Sequence, residues 1–412
     1  MDGAGSAVAR PDATTIAPSR AAGSSLRMIF VATFVLNGST SVIFALISDL
    51  QDAVGLSTAS LGLIAATGFI VGLAAGLVVA PWADRGWAKR LLLGGLALSA
   101  IGGVGFAMAH SLAALLVSRA FIGAAAGCFL PAARAIVAGF DPARAGENLG
   151  RLARVDLAGF SSGPIIGGVL FSIVGLRGTF VFFAVVAAVA LVVLAPRPLP
   201  TLASSSESSR PSVSLLRHRR VVVATLLALA LFLPVGLFDS LWDRYLTDLG
   251  GNNMVVGLTF FLFAIPFILF TARFGRLADR VGHVRIALCG LALLVPCTAV
   301  YGVIRSIPVL VVLPMAESLA QAATVPASQA AMAAACPPGR AAAGQGLAVA
   351  TQLAGAGIAA LLAAPAYEQF GPEPLFATTA AVMALIATTA LLLHLGANRA
   401  DARRGIVSSA AR

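Results

Sequence analysis

The sequence predicts an all-α integral membrane protein with twelve transmembrane helices, arranged as two related halves of six helices each. Three observations lead to this fold class: the composition, the number of long apolar segments and an internal repeat. Of the 412 residues, 59% are hydrophobic and 11% are charged, whereas soluble proteins average about 45–50% and 25%. An apolar excess of this size requires a lipid-facing surface, so the lipid bilayer is the first expected partner.

The composition also excludes several function classes. The net charge of +11 does not indicate a nucleic-acid-binding protein, because the basic residues lie in short loops between apolar segments. The four cysteines lack the spacing of a zinc site or a disulfide framework. No catalytic grouping and no phosphate-binding loop is visible, so we expect neither an enzyme nor a bound metal or cofactor.

Twelve apolar segments reach the length of about 20 residues that a membrane-spanning helix needs. The first six lie at about 28–49, 58–81, 90–110, 112–137, 150–174 and 178–195. The last six lie at about 221–246, 254–274, 285–304, 307–334, 342–366 and 374–395. Irregular backbone would leave polar groups unpaired in lipid, so these segments are expected to be helical.

These segments divide the chain into five parts. They are a disordered leader at 1–26, a first six-helix bundle at 27–195, a linker at 196–220, a second bundle at 221–396 and a tail at 397–412. The centre of the linker, residues 204–209, is a low-complexity serine stretch that we expect to be flexible.

The distribution of arginine and lysine predicts the orientation of the chain. The loops after the even-numbered segments, the linker and the tail carry most of these residues, whereas the opposite loops offer little more than Arg177, Arg244 and Arg305. Because basic loops stay in the cytoplasm, both termini are predicted to be cytoplasmic. We expect a monomeric multi-pass protein of the cell (cytoplasmic or inner) membrane.

The two halves match at an offset of 195 residues. Gly62-Leu63 corresponds to Gly257-Leu258, Ala83-Asp84-Arg85 to Ala278-Asp279-Arg280, and Pro131-Ala132 to Pro326-Ala327. Each half has an even number of segments, so the repeats share one orientation and are related by a pseudo-twofold axis along the membrane normal. A central site would then lie between the halves near the middle of the bilayer.

A loop motif recurs after the second and the eighth segment. It resembles the loop signature of the major facilitator superfamily, which reads roughly GxLADRxGRR. The second-half copy supplies Gly275, Asp279, Arg280, Gly282 and Arg285, and the degraded first-half copy supplies Asp84, Arg85, Lys89 and Arg90. The resemblance implies the superfamily fold and a cytoplasmic gate at these residues, with a static topology anchor as the alternative.

Two further motifs resemble that superfamily. The fifth segment holds Gly159, Gly163, Pro164, Gly167 and Gly168. This pattern is similar to the antiporter motif of its exporters, and a plain glycine packing face is the alternative. Arg119 in the fourth segment matches an arginine that the family associates with proton transfer. The alternative is an arginine that extends to the outer headgroups.

Carboxylates inside apolar segments are functional hypotheses by default. We take Asp156, Asp239 and Glu317, together with Arg119, as candidates for proton coupling. Asp243 is expected to pair with Arg244 or to lie in the headgroup zone. Candidates for a substrate cavity are Asn37, Trp242, Tyr245, Gln321 and Gln352, with interfacial anchoring as the alternative for the two aromatic residues.

The resemblance implies a secondary active transporter that exports a small organic solute by proton antiport with alternating access. The proton would be the coupling ion, and the small-molecule substrate is not readable from the sequence. A proton-coupled importer or uniporter of the same fold is one alternative. A membrane receptor or scaffold that transports nothing is the other.

Overall fold

The computed structural model describes residues 20–79, 82–83, 86–140, 145–199, 212–337 and 341–410. Within these ranges the secondary structure is helical, and eleven helices are long and apolar enough to cross a membrane. The predicted all-α membrane fold is therefore confirmed. The serine stretch at 204–209 and most of the leader lie outside the described residues.

The first half contains six α-helices. They are α1 (Arg20–Ser41), α2 (Ile47–Val54), α3 (Thr58–Val78), α4 (Ala88–Met108), α5 (Leu112–Phe140) and α6 (Ala145–Leu194). Helix α6 is 50 residues long and is interrupted at Gly175, whose φ of 70° and ψ of −177° are not helical. Its two segments are the fifth and sixth predicted spans, so the described chain contains all twelve.

The second half also contains six α-helices, preceded by a 3₁₀ helix at Ser212–Arg217. They are α7 (Arg219–Asp248), α8 (Asn253–Val281), α9 (His283–Tyr301), α10 (Ile307–Ala335), α11 (Ala341–Phe370) and α12 (Pro372–Ala410). Each of them is one predicted span. Helices α7, α8, α9 and α11 each contain one internal proline, and α10 contains two.

Three helix boundaries differ from the predictions. Helix α1 begins at Arg20 and α12 ends at Ala410, so parts of the predicted leader and tail are helical; both stretches are rich in alanine, which favours helix. The first span breaks into a 3₁₀ turn at Val42–Ala45 before the separate helix α2. This break depends on a distant residue, because Asn253 donates a hydrogen bond of 2.8 Å to the carbonyl of Ala45.

The molecule has two ends, which we name by their residues. The linker end carries the loop at 86–88, the residues that flank the linker (195–199 and 212–218) and the loop at 282. The closed end carries α2 and the loops at 249–252, 302–306 and 371. The hydrogen bonds described between α2 and its loop in the first half and α7, α8 and α11 in the second half all lie at the closed end.

The most extensive contacts between the halves, among the described residues, are those of α3 with α11 and of α6 with α8. A Cβ atom built on Gly62 of α3 would lie 2.5 Å from the carbonyl oxygen of Ala360. A Cβ atom built on Gly257 of α8 would lie 2.6 Å from the Cα atom of Ile165. These two glycines are equivalent in the repeat, so the same absence of a side chain permits both close approaches.

The halves diverge towards the linker end. Helix α3 runs from the closed end to the linker end, and its contact with α11 extends from Gly62 to Phe69, beside Gly357. Beyond that, Gly76 of α3 and Gly346 near the start of α11 face open space, since no atom lies within 4 Å of a Cβ atom built on either one. The described interface between the halves is therefore tight at the closed end and open towards the linker end.

Candidate functional site

A buried ion pair joins the two halves. Arg119 of α5 and Asp239 of α7 form an ion pair with a distance of 2.7 Å between Nη2 and Oδ2, and their side chains are 4% and 1% exposed. The sequence predicted both residues as separate candidates, and the structure brings them together. The alternative for Arg119, an extended contact with headgroups, does not match its burial.

The first half is shaped to hold the Arg119 guanidinium. Gly68 of α3 lies directly beneath it, and a Cβ atom built on Gly68 would lie 2.9 Å from Cζ and closer still to Nε. The Phe44 ring lies 5.9 Å from Cζ, a distance at which a cation–π contact contributes. The carbonyl of Thr40 accepts a long hydrogen bond of 3.5 Å from Nη1.

A second carboxylate of α7, that of Asp243, contacts the first half at the closed end. Asp243 lies one turn beyond Asp239, on the same face of the helix. Its Oδ2 accepts hydrogen bonds of 2.8 Å from both the backbone N–H and the hydroxyl of Ser48, in the first turn of α2. A carboxylate is favoured at a helix N-terminus, so Asp243 of one half caps a helix of the other half.

This contact corrects the expected partner of Asp243. Arg244 pairs instead with Asp248, with 2.9 Å between Nε and Oδ1, and with Asp52, with 3.1 Å between Nη1 and Oδ1. Asp243 itself is 1% exposed, and no described residue bonds its second oxygen, Oδ1. The neighbouring positions 243 and 244 thus face different surroundings, one buried between the halves and one at the rim.

Further contacts surround this cap. Asn253 donates a hydrogen bond to Asp49 of α2, and the backbone N–H of Thr58 donates one of 3.3 Å to Glu368. Helix α2 lies outside the membrane-spanning segments, and burial there raises the pKa of Asp49 above its ordinary value. The closed end is therefore held by polar contacts from α7, α8 and α11.

Glu317 lies in the interior of the second half. It is 2% exposed, and its carboxylate accepts a hydrogen bond of 2.7 Å from the Tyr301 hydroxyl and one of 2.9 Å from the Gln321 amide. The described residues place no cation against it. Its carboxylate charge is therefore stabilised by neutral donors alone, unlike that of Asp239.

Trp242 and Tyr245, which the sequence offered as cavity candidates or interfacial anchors, lie in an aromatic cluster inside the second half. The Trp242 ring meets the rings of Phe238 and Tyr301 edge to face, with centroids 5.1 and 5.2 Å away. The Trp242 indole donates to Thr259, and the Tyr245 hydroxyl donates to the carbonyl of Tyr301 at 2.8 Å. Their exposed fractions are only 3% and 2%, as expected for core side chains.

Asp156 and Gln352 lie on the linker side of the middle of their helices, whereas Asn37 lies near the C-terminal end of α1. Asn37 of α1 donates a hydrogen bond of 3.0 Å to the carbonyl of Thr33 in its own helix. Asp156 lies in the first segment of α6. Its carboxylate is 3.7 Å from Arg134 of α5, and the two side chains are 27% and 52% exposed. Gln352 of α11 is buried in the second half. Arg134, which the sequence did not single out, adds a cation on this open side.

The loop motif is only partly described, because Asp84 and Arg85 lie outside the described residues. Lys89 donates to the carbonyl of Arg197 at 2.9 Å, and Arg90 lies 4.4 Å from the Trp87 ring. In the second copy, Asp279 pairs with His283 at 3.1 Å, and Gly282 begins α9 with a φ of 113°. The other members, Gly275, Arg280 and Arg285, lie along the same stretch at the ends of α8 and α9.

The glycines of the first segment of α6 serve two interfaces. Gly159 and Gly163 face α1, and Cβ atoms built on them would lie 2.5 Å from the carbonyl oxygens of Phe34 and Gly38. Gly167 faces the 3₁₀ turn that follows α1, 2.6 Å from the Val42 side chain by the same measure. Gly168 faces the other half, 2.7 Å from the carbonyl oxygen of Asn253 by the same construction. Pro164 lies inside the helix between them.

We expect Gly68→Ala to displace Arg119. The new Cβ atom would occupy the space of Nε, so either the guanidinium or α3 must move, at a cost of about 1–3 kcal/mol in the free energy of unfolding. Gly76→Ala on the same helix is the matched control, because its Cβ atom meets open space. Thermal unfolding of both purified variants measures the difference, and equal stabilities would contradict the packing described here.

We expect Asp243→Ala to open the closed end. Loss of the cap from the N-terminus of α2 shifts the equilibrium by about 1–2 kcal/mol, or roughly 5- to 30-fold. Spin labels at the exposed positions Ala53 and Asn252, in a variant without the native cysteines, measure the distance between the two halves at the closed end. In Asp243→Ala we expect a population with a longer distance between the two labels than in the wild-type protein.

The control for that measurement is Asp248→Ala. It removes a partly exposed ion pair with Arg244 at the end of the same helix, and such pairs contribute only about 0–1 kcal/mol. If Asp243→Ala and Asp248→Ala give the same distance distribution, the buried cap does not hold the closed end.

Solved structures share the fold over nearly the whole chain. A bacterial homologue of the human lysosomal transporter Spinster, in an inward-facing and unoccupied conformation, gives a TM-score of 0.72 at 16% identity, over 93% of this chain and 98% of that one. The nucleoside transporter NupG gives 0.75 at 13% identity, over 90% and 99%. At these identities the likeness establishes the fold.

Sequence relatives point in the same direction. The multidrug resistance protein MdtG of Proteus mirabilis is 25% identical over 283 residues, which are 65% of this chain and 70% of that protein. The quinolone resistance protein NorA of Staphylococcus aureus is 26% identical over 235 residues, 54% of this chain and 59% of that protein, which is less than two thirds of its length.

The family comparison covers both halves. The sequence profile of the Major Facilitator Superfamily matches residues 29–242 and again residues 235–408, which together span most of the chain. The first match extends into α7, and the two matches overlap at residues 235–242. The chain is therefore a multi-pass, non-enzymatic membrane transporter that belongs to the Major Facilitator Superfamily.

Proposed function

We propose that this transporter exports a small organic solute in exchange for protons. The observation that carries the proposal is the Arg119–Asp239 pair, which joins the halves inside the bundle with less than 5% of either side chain exposed. A buried ion pair that loses the charge of one partner is strongly destabilised. The pair therefore links the charge on one carboxylate to the contact between the halves.

This link explains how solute and protons would be exchanged. While Asp239 is charged, it holds Arg119 and keeps the halves together on the side of the closed end. A proton neutralises the carboxylate, and a bound solute with a cationic or hydrogen-bonding group competes for it. Either event frees the pair, whereas an empty and unprotonated transporter stays locked. Alternation between the two events is an antiport cycle.

The proposed direction of transport is supported by the membrane orientation of the chain and by the side from which the space between the halves is open. The arginine distribution predicts that the linker end faces the cytoplasm. The open side between the halves, with Asp156 and Arg134, would then receive solute from the cytoplasm. Gly168 of α6 is consistent with this arrangement, because its missing side chain lets α6 approach the start of α8 at the closed end.

The solute class is supported by two relatives whose names denote resistance to several drugs and to quinolones. A small organic molecule also fits a cavity between two helical halves better than a large polymer does. Glu317 is the second candidate proton carrier, because it is buried without a described cation and bonded by Tyr301 and Gln321.

The decisive test uses purified protein in liposomes with an imposed pH gradient and a fluorescent or radiolabelled organic solute. We expect solute to move against its own gradient when the protons run in the opposite direction. Equal rates with and without the pH gradient would exclude antiport. Movement of solute and protons in the same direction would support an importer instead.

We expect Glu317→Gln to slow proton-driven transport by about 100-fold, the lower end of what a positioned proton-transfer group contributes. Glutamine keeps an acceptor for Tyr301 but cannot exchange a proton. Glu373→Gln is the matched control, because Glu373 is 63% exposed and pairs with Arg305 at the closed end. Solute exchange without a gradient should persist in Glu317→Gln, and an unchanged driven rate would remove Glu317 from the pathway.

A further inference from the structure

A small enclosed cavity lies beside Arg119 in the first half. It is bounded by α1, the 3₁₀ turn at Val42–Ala45, α4, α5 and the second segment of α6, and it has room for about one water molecule. Its walls are mostly apolar, with Phe106 and Phe183 among them, and Gly103 of α4 packs closely against Ala184 of α6. The polar residues of the lining are Ser39, Thr40, Ser99 and Arg119.

Two polar atoms of the lining residues are buried without a bond to any described residue. They are the hydroxyl oxygen of Ser99 and Nε of Arg119. Ser99 is 1% exposed and Arg119 is 4% exposed, so bulk water does not reach them. Other intramembrane hydroxyls differ: the Ser118 hydroxyl donates to the carbonyl of Ala114 at 2.7 Å, within its own helix.

The chemistry of the lining selects the ligand. A guanidinium only donates hydrogen bonds, whereas a hydroxyl both donates and accepts. A cation would be repelled by Arg119, and the space is too small for an organic group. A neutral molecule of a single heavy atom, able to accept from the guanidinium and to exchange a bond with Ser99, satisfies both orphaned groups. Buried water is found where two to four such partners converge.

We propose that this cavity binds a single water molecule that bridges Arg119 and Ser99. Thr40 also belongs to the lining, and the hydrogen bond from Arg119 to its carbonyl is long at 3.5 Å. Such a distance is typical of polar groups that a water molecule completes.

The water gives Arg119 a second partner on the side of the first half. Its consequence rests on the proposed function: when a proton or a solute neutralises Asp239, the guanidinium keeps a hydrogen-bond acceptor. The bound water therefore eases the release of the ion pair while Arg119 stays on α5. Ser99 acts through Arg119 and is a positioning residue.

The site is tested without any transport measurement. A cryo-EM map of the wild-type protein, at a resolution that resolves ordered water, should show density within about 2.7–3.2 Å of the Ser99 hydroxyl and the Arg119 guanidinium. In infrared spectra, an O–H band of strongly bound water should shift when H₂¹⁸O replaces H₂¹⁶O. Both signals should disappear in Ser99→Ala and persist in the control Ser118→Ala.

A dry cavity in the wild-type map overturns the proposal, and so does a water signal that survives in Ser99→Ala. The role of the water is tested by solute exchange, which should fall about tenfold in Ser99→Ala, the size expected for one buried polar group left without a partner. Ser118→Ala should keep the wild-type rate. If the protein proves not to be a proton antiporter, the map and the infrared band still decide whether the water site exists.

Discussion

The ion pair between Arg119 and Asp239 is the constraint on which the rest of the structure depends. Each charge is buried, and removal of one partner from such a pair costs about 3–5 kcal/mol because the other charge is left uncompensated. The surroundings are arranged for this pair. Gly68 gives the guanidinium room, and Phe44 presents its ring to it. Separation of the halves at this level would leave both buried charges without their partner.

Helix α7 connects this central pair to the closed end. Its two carboxylates, Asp239 and Asp243, lie one turn apart and each contacts a different part of the first half: α5 at the centre and α2 at the closed end. A change at Asp239 that moves α7 therefore also acts on the cap at Ser48. A single helix thus joins the charged centre to the closure of one end, and no separate relay is required.

The sequence was sufficient for the fold but only partly for the site. Twelve spans, two halves and their repeat follow from segment length and from matched positions, which are local properties. The sequence also named Arg119, Asp239 and Glu317, because charges in apolar segments are rare. It could not pair Arg119 with Asp239, which are 120 positions apart, nor distinguish Gly68 among 42 glycines. Both depend on which helix faces meet, and a single sequence does not carry that information.

The cap at the closed end joins positions that are equivalent in the two halves, because Ser48 and Asp243 are separated by the repeat offset of 195 residues. Equivalent positions can touch only where the pseudo-twofold axis passes between them. Two identical halves could not make this contact, since two aspartates would repel each other and two serines would provide no charge for the helix terminus. The closure of this end is therefore a product of divergence between the repeats: symmetry brings the two positions together, and the loss of symmetry makes them attract.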